Sequence, residues 1–150
     1  MNEKLTAKAS IQILKPIEVV YEAIVNPEKM SNYFIERGTA RLDSISTLDW
    51  KFPEFDDIFT VEGKFVQPYD YISFDWSGGA EDMLVEIFLE KTSPMATVVR
   101  IKESKFNTDE EGIKQAMGQT EGWANFLACL KAYLEYGINL REGAFDFMKS

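Results

Sequence analysis

Residues 108–137 read TDEEGIKQAMGQTEGWANFLACLKAYLEYG, and this stretch decides the architecture. Thr108 and Glu111 have the spacing of a capping box, with Thr108 as N-cap and a Glu three residues on. Trp123, Phe126, Leu127, Leu130, Tyr133 and Leu134 recur at i, i+3, i+4, i+7, i+10 and i+11, the stripe of a long helix. Gly118 and Gly122 are the points at which that helix can break. Gly137 suits the left-handed position after its end, with Ile138 set to contact Tyr133. The tail, 138–150, shows no clear periodicity.

Upstream of the helix the period is two. Leu5, Ala7, Ala9, Ile11 and Ile13 alternate with Lys8, Ser10 and Gln12, a first strand. Pro16 fits a first helical turn, and Ile17, Val20, Tyr21 and Ile24 give a helical stripe. Asn26-Pro27 restarts the pattern as N-cap and first helical residue, with Met30, Tyr33 and Phe34 on the apolar face. Six strands are then expected. Residues 37–45 form one. Leu48, Trp50 and Phe52 alternate until Pro53. Phe59, Val61 and Phe65 share one parity with Gly63, where a bulge or a close approach is expected. Ile72, Phe74 and Trp76 make the next strand, closed by a Gly78-Gly79 turn. Met83, Val85, Ile87 and Leu89 follow, and after Ser93-Pro94 come Thr97, Val99, Ile101 and Glu103. Connections of hairpin length make these strands antiparallel.

The order is strand, two short helices, six strands, long helix. This is an α+β chain with a seven-stranded antiparallel sheet. Its one apolar face needs cover, and the C-terminal helix is the only element large enough to supply it. A curved sheet gripping one helix leaves room for a cavity between them.

Length and composition narrow the function. One domain is expected over 1–150, large enough to bury about 70% of its unfolded surface. The net charge of −9 opposes phosphate backbones and argues against nucleic acid. There is no histidine, so Ser-His-Asp triads, Cys-His dyads and His-ligated metals are excluded within the chain. The single cysteine, Cys129, cannot form an internal disulfide and reads as a small buried hydrophobe. A reducing, cytoplasmic location is expected, with no secretory signal and no membrane span.

No phosphate-binding glycine loop and no C-x-x-C is present. Asn107 to Gly112 resembles the start of a calcium loop, but position 12 is Gly118, where a bidentate Glu is required. No metal and no cofactor is therefore expected. The 20 aromatic residues are the unusual feature. Rings on inward parities serve equally well as core and as the wall of an apolar pocket. The expected lining is Trp50, Phe52, Phe59, Phe74, Trp76, Val85, Ile87, Val99, Ile101, Trp123 and Leu127. Glu103 continues the parity of Val99 and Ile101, so it points inward unless its strand ends first. With no histidine, general acid–base chemistry would fall to inward carboxylates, tyrosines or lysines, and Glu103 is the one acidic residue placed to do it or to orient a ligand.

Several stretches carry a family resemblance across nearly the whole chain. They are Ile17-Glu-Val-Val-Tyr-Glu-Ala-Ile24 with Asn26-Pro-Glu-Lys-Met-Ser-Asn-Tyr-Phe34, Val61-Glu-Gly-Lys-Phe65, Ile72-Ser-Phe-Asp-Trp76, Ala96-Thr-Val-Val-Arg-Ile101, and Glu121-Gly-Trp-Ala-Asn-Phe-Leu127 leading into Leu130–Gly137. In this order they resemble the activator of Hsp90 ATPase homologue 1-like family of the START/Bet v 1-like (SRPBCC) superfamily. The resemblance implies a helix-grip fold with a cavity under the C-terminal helix. It does not imply one activity, because relatives of this fold include lipid carriers, polyketide cyclases, hormone receptors and co-chaperone domains. The chain departs from the pattern at Leu42–Leu48, where an Asp-x-Arg-x-Gly-Gly stretch is common. The separate N-terminal domain of the full Hsp90 activator carries a His-containing motif, which a chain without histidine lacks.

The resulting expectation is a non-enzymatic module, monomeric or homodimeric, that holds a small apolar or amphipathic ligand. The competing readings are a chaperone partner of the Hsp90 type or a stress-related protein-interaction domain, and a cyclase- or hydrolase-like enzyme using Glu103.

Overall fold

The computed structural model of the chain describes residues 3–76 and 84–149. The elements are β1 (Leu5–Ile13), α1 (Ile17–Val25), α2 (Pro27–Met30), β2 (Arg37–Gly38), β3 (Thr47–Lys51), β4 (Ile58–Gln67), β5 (Tyr71–Asp75), β6 (Leu84–Ser93), β7 (Ala96–Phe106) and α3 (Glu110–Tyr136). All seven strands form one antiparallel sheet in the order β1-β7-β6-β5-β4-β3-β2. The first and last long strands pair, Ile11 opposite Val99 and Ala9 opposite Ile101, so the chain's two ends of the sheet sequence meet at one edge. α3 packs across the sheet and buries Trp123, Phe126, Leu127, Cys129 and Leu130. This is the helix-grip arrangement.

α3 is continuous through Gly118 and Gly122, where a break was conceivable. Its N-cap is Asp109, whose carboxylate accepts from the Gly112 N–H at 2.8 Å, one residue later than the Thr108 cap expected from the capping-box spacing. The helix entry is tight at Gly112, where a Cβ would run into the Asn107 carbonyl. The stretch resembling a calcium loop is thus the packed entry to a helix. At the other end Gly137 adopts φ 66°, and the Gly137 and Ile138 N–H groups donate to Tyr133 and Ala132 carbonyls. Glu135 accepts from the Leu14 N–H at 2.8 Å, and Lys131 donates to the Gln12 carbonyl at 2.7 Å. Those two bonds fasten the end of α3 to β1.

Three further expectations need correction. Pro16 sits at the N-cap of α1 rather than within its first turn, its carbonyl accepting from Val19 and Val20. Residues 37–45 do not make a full strand. Only Arg37 and Gly38 pair with β3, and Leu42–Ser44 form a short 3-10 turn that buries Leu42. Arg41 holds that turn, pairing with Glu22 at 2.8 Å and Asp43 at 3.0 Å, while Tyr21 donates to Asp43 at 2.9 Å. Phe65 is the third. It is 59% exposed because the register between β4 and β5 shifts between Gly63 and Phe65. The bulge reverses the parity beyond it. Gly63 is also a close approach, since a Cβ there would meet Ile45 Cα and Leu42 O, both at 3.2 Å. The buried Ser73 hydroxyl completes the bulge, accepting from the Phe65 N–H and donating to its carbonyl. The Gly78-Gly79 turn and Met83 lie outside the described residues.

Candidate functional site

β7 keeps its alternation through Glu103 and loses it only beyond, where Lys105 is exposed and Phe106 buried, so Glu103 stays on the inner face between Ala7 of β1 and Val85 of β6. The residue is only 2% exposed. A carboxylate held there needs partners, and three side chains supply them. Trp123 Nε1 and Gln119 Nε2, both from α3, donate to Oε1 at 2.8 Å. Trp76 Nε1 donates to Oε2 at 3.2 Å. All three groups are donors, and an indole N–H can be nothing else. The carboxylate therefore bridges the end of β5 to α3 across the mouth of the grip.

Beside this bridge lies a cavity of about 330 Å³. Seven rings line it: Phe34, Phe52, Phe55, Phe59, Trp76, Trp123 and Phe145. α3 contributes Gly118, Gln119, Glu121, Gly122 and Asn125 along one face. No described atom stands within 4 Å of where a Cβ at Gly118 or Gly122 would be, so the two glycines leave the helix backbone bare on the cavity side. The far wall is a buried ion pair. Arg141 Nη2 donates to Glu54 Oε1 at 2.7 Å, with side chains 15% and 3% exposed. The guanidinium lies 4.8 Å from the Phe145 ring centre and 5.5 Å from those of Phe34 and Phe52. Its Nε is buried and has no partner among the described residues. A second hollow of about 470 Å³ is also lined by Glu54 and Arg141.

Four of the expected lining residues, Phe52, Phe59, Trp76 and Trp123, meet at the cavity. Trp50, Phe74, Val85, Ile87, Val99, Ile101 and Leu127 lie beneath it in the buried core. There Trp50 makes edge contacts with Phe34, Phe74 and Trp76. The interior space among Ile24, Trp50, Phe74, Ile87 and Phe126 has no room for a water molecule. Glu103 lies directly behind the cavity wall, bonded to three residues that form it. Sequence reasoning missed Gly118, Gln119, Gly122, Glu54, Arg141 and Phe145. The glycine pair one helical turn apart was the available signal. Arg141 and Glu54 are 87 residues apart and carried none.

Cys129 is buried against the core side of α3, and burial pushes its thiol pKa up, which makes it a poor nucleophile. Among the described residues no group of three or more His, Cys, Asp or Glu side chains is arranged to hold a metal ion. None of the described helices is long and apolar enough to cross a membrane.

Comparison with known proteins places this architecture. The protein SSP2350 from Staphylococcus saprophyticus is 31% identical, with a TM-score of 0.80 over 91% of this chain and 96% of that one. DynU16, from the dynemicin biosynthetic locus, is 24% identical with a TM-score of 0.75, and the match covers 89% of this chain and 48% of that chain. The Aha1 dimer from Colwellia psychrerythraea is 18% identical with a TM-score of 0.73, over 89% of this chain and 98% of that one. The last two likenesses are of fold. No curated protein matches. Residues 15–135, from the approach to α1 to the last turn of α3, match the family described as activator of Hsp90 ATPase homolog 1-like protein, and the chain belongs to that family.

Proposed function

We propose that the chain is a binding module that takes a small apolar or amphipathic molecule into the cavity beneath α3. The observation that carries this reading is the bare helix face. Glycine within a helix costs about 1 kcal/mol relative to alanine, and among the described residues nothing uses the space at Gly118 or Gly122. Bare backbone opposite a wall of rings suits the close approach of a ligand. The interior below is packed, so the ligand would lie at the mouth of the grip, against Phe52, Phe59, Trp76 and Trp123. The sequence supplies no histidine, and Glu103 spends both oxygens on wall residues, which supports a carrier or sensor over an enzyme.

The test is titration with a naphthalene fluorophore, using Gly122→Phe to fill the cavity. Binding is expected in the native chain and lost in the variant. Equal binding by both would contradict the proposal. Native mass spectrometry of the freshly purified chain would identify any co-purified molecule.

Family membership supports a second reading, a partner of an Hsp90-type ATPase. Its test is the ATPase rate of the cognate chaperone with micromolar chain added. We expect an unchanged rate. Clear stimulation would favour this second reading.

A further inference from the structure

We infer that the cavity selects molecules bearing a hydrogen-bond donor, such as a phenol, an alcohol or an amine, over carboxylates and over ethers of the same shape. The inference rests on the binding reading above and names its ligand chemistry. It starts from Glu103. That carboxylate accepts only, and its Oε1 already accepts from Trp123. An amide beside it must turn its NH2 inward, and Gln119 Nε2 does so at 2.8 Å. The orientation of Gln119 is thereby set by chemistry, which is rarely so for an amide. Its Oε1 must face away from Glu103.

Gln119 is half-buried and lines the cavity, and among the described residues no donor is bonded to that oxygen. Gly118 beside it and Gly122 one turn on raise no side chain next to it. The site thus presents a fixed, open acceptor amid rings. The two indole N–H groups of the wall, Trp76 and Trp123, are spent on Glu103. The remaining charges disfavour an anion. Glu121 and Glu54 line the cavity, Arg141 is neutralised by Glu54 at 2.7 Å, and the chain carries −9 overall. A ligand donor meets an acceptor here, whereas a carboxylate meets an oxygen and two acids.

Three probes of one shape test this: 2-naphthol, 2-methoxynaphthalene and 2-naphthoate, by calorimetric titration against the full chain. The expected result is 2-naphthol bound roughly five- to tenfold more tightly than 2-methoxynaphthalene, the worth of one neutral hydrogen bond, and naphthoate weakest. Gln119→Leu should erase the preference for naphthol over 2-methoxynaphthalene. Equal affinity for naphthol and its methyl ether overturns the inference while leaving the cavity reading intact. Tightest binding by naphthoate, lost in Arg141→Met, also overturns it, because the guanidinium would then be the recognition group. No binding by any probe overturns both readings.

Discussion

Alanine at Gly122 places a methyl group where no described atom stands within 4 Å. The residue lies well inside the 27-residue α3, so the substitution acts almost wholly through helix propensity and the freedom of the unfolded chain. A gain of about 1 kcal/mol is expected, and the same at Gly118. For a chain of this length each corresponds to a rise in Tm of roughly 2–4 °C. Gly112 in the first turn gives the opposite sign. A Cβ there would lie 2.0 Å from Asn107 O and 2.5 Å from Asn107 C, both backbone atoms that no rotamer change can move. Relief requires displacing the entry to α3 and the Asp109 cap, for a loss of about 2 kcal/mol or more. Urea unfolding of the three single variants measures all three values. A destabilised Gly122→Ala, or a neutral Gly112→Ala, would refute the reasoning. The account further requires that Gly118→Ala and Gly122→Ala weaken cavity binding as they stabilise the fold, because the methyl groups occupy the ligand's side of the helix.

Glu103→Gln keeps the shape but leaves one of the three donors facing an NH2 group, so a loss of about 1–3 kcal/mol is expected in urea unfolding. Glu54→Gln removes the charge that pairs with Arg141, and the segment from Asn139 onward should become more susceptible to limited proteolysis while the rest of the chain stays resistant. Hydrogen bonding from Arg41 holds the Glu22 carboxyl below its usual range, outweighing the effect of burial. A depressed folded pKa means that Glu22 contributes stability above its unfolded value of about 4.3 and loses it as pH falls through the lower folded value. Glu22→Gln should therefore flatten the fall in Tm on the acid side of about pH 4.3 and lower Tm at pH 7.

The sheet was legible because most of its strands bury one face. Val85, Ile87 and Leu89, and then Thr97, Val99, Ile101 and Glu103, keep strict alternation, and every one of them is buried. Alternation misleads where the backbone departs from the pleat. Phe65 has the right spacing from Val61, but the bulge turns it outward, and only the position of Gly63 hints at this. Residues 37–45 have strand-like composition, yet Arg41 ties their second half to Glu22 and Asp43 in a turn, and Ile45 takes a left-handed φ of 52°. The candidate site was half legible. Rings on inward parities pointed to the face on which the cavity lies, but parity alone cannot separate core from cavity wall. Depth depends on distance from the mouth of the grip, which pairing register and helix placement determine together. Arg141 illustrates what local pattern cannot give. It comes from a tail without periodicity and reaches Glu54, on the loop after β3, through the fold alone.

The three tryptophans offer the most direct measurement of the central claim. In an amide-proton NMR spectrum each indole Nε1–H gives its own signal, assignable by single Trp→Phe variants. Trp76 and Trp123 stand in the cavity wall and donate to Glu103, whereas Trp50 is 1% exposed in the core below. Titration with 2-naphthol is predicted to shift the Trp76 and Trp123 signals saturably, together with the backbone amides of Gly118 and Gly122, while Trp50 moves least. Saturable shifts at Trp50 and the core strands without Trp76 and Trp123, or no saturable shift at any indole, would contradict the account.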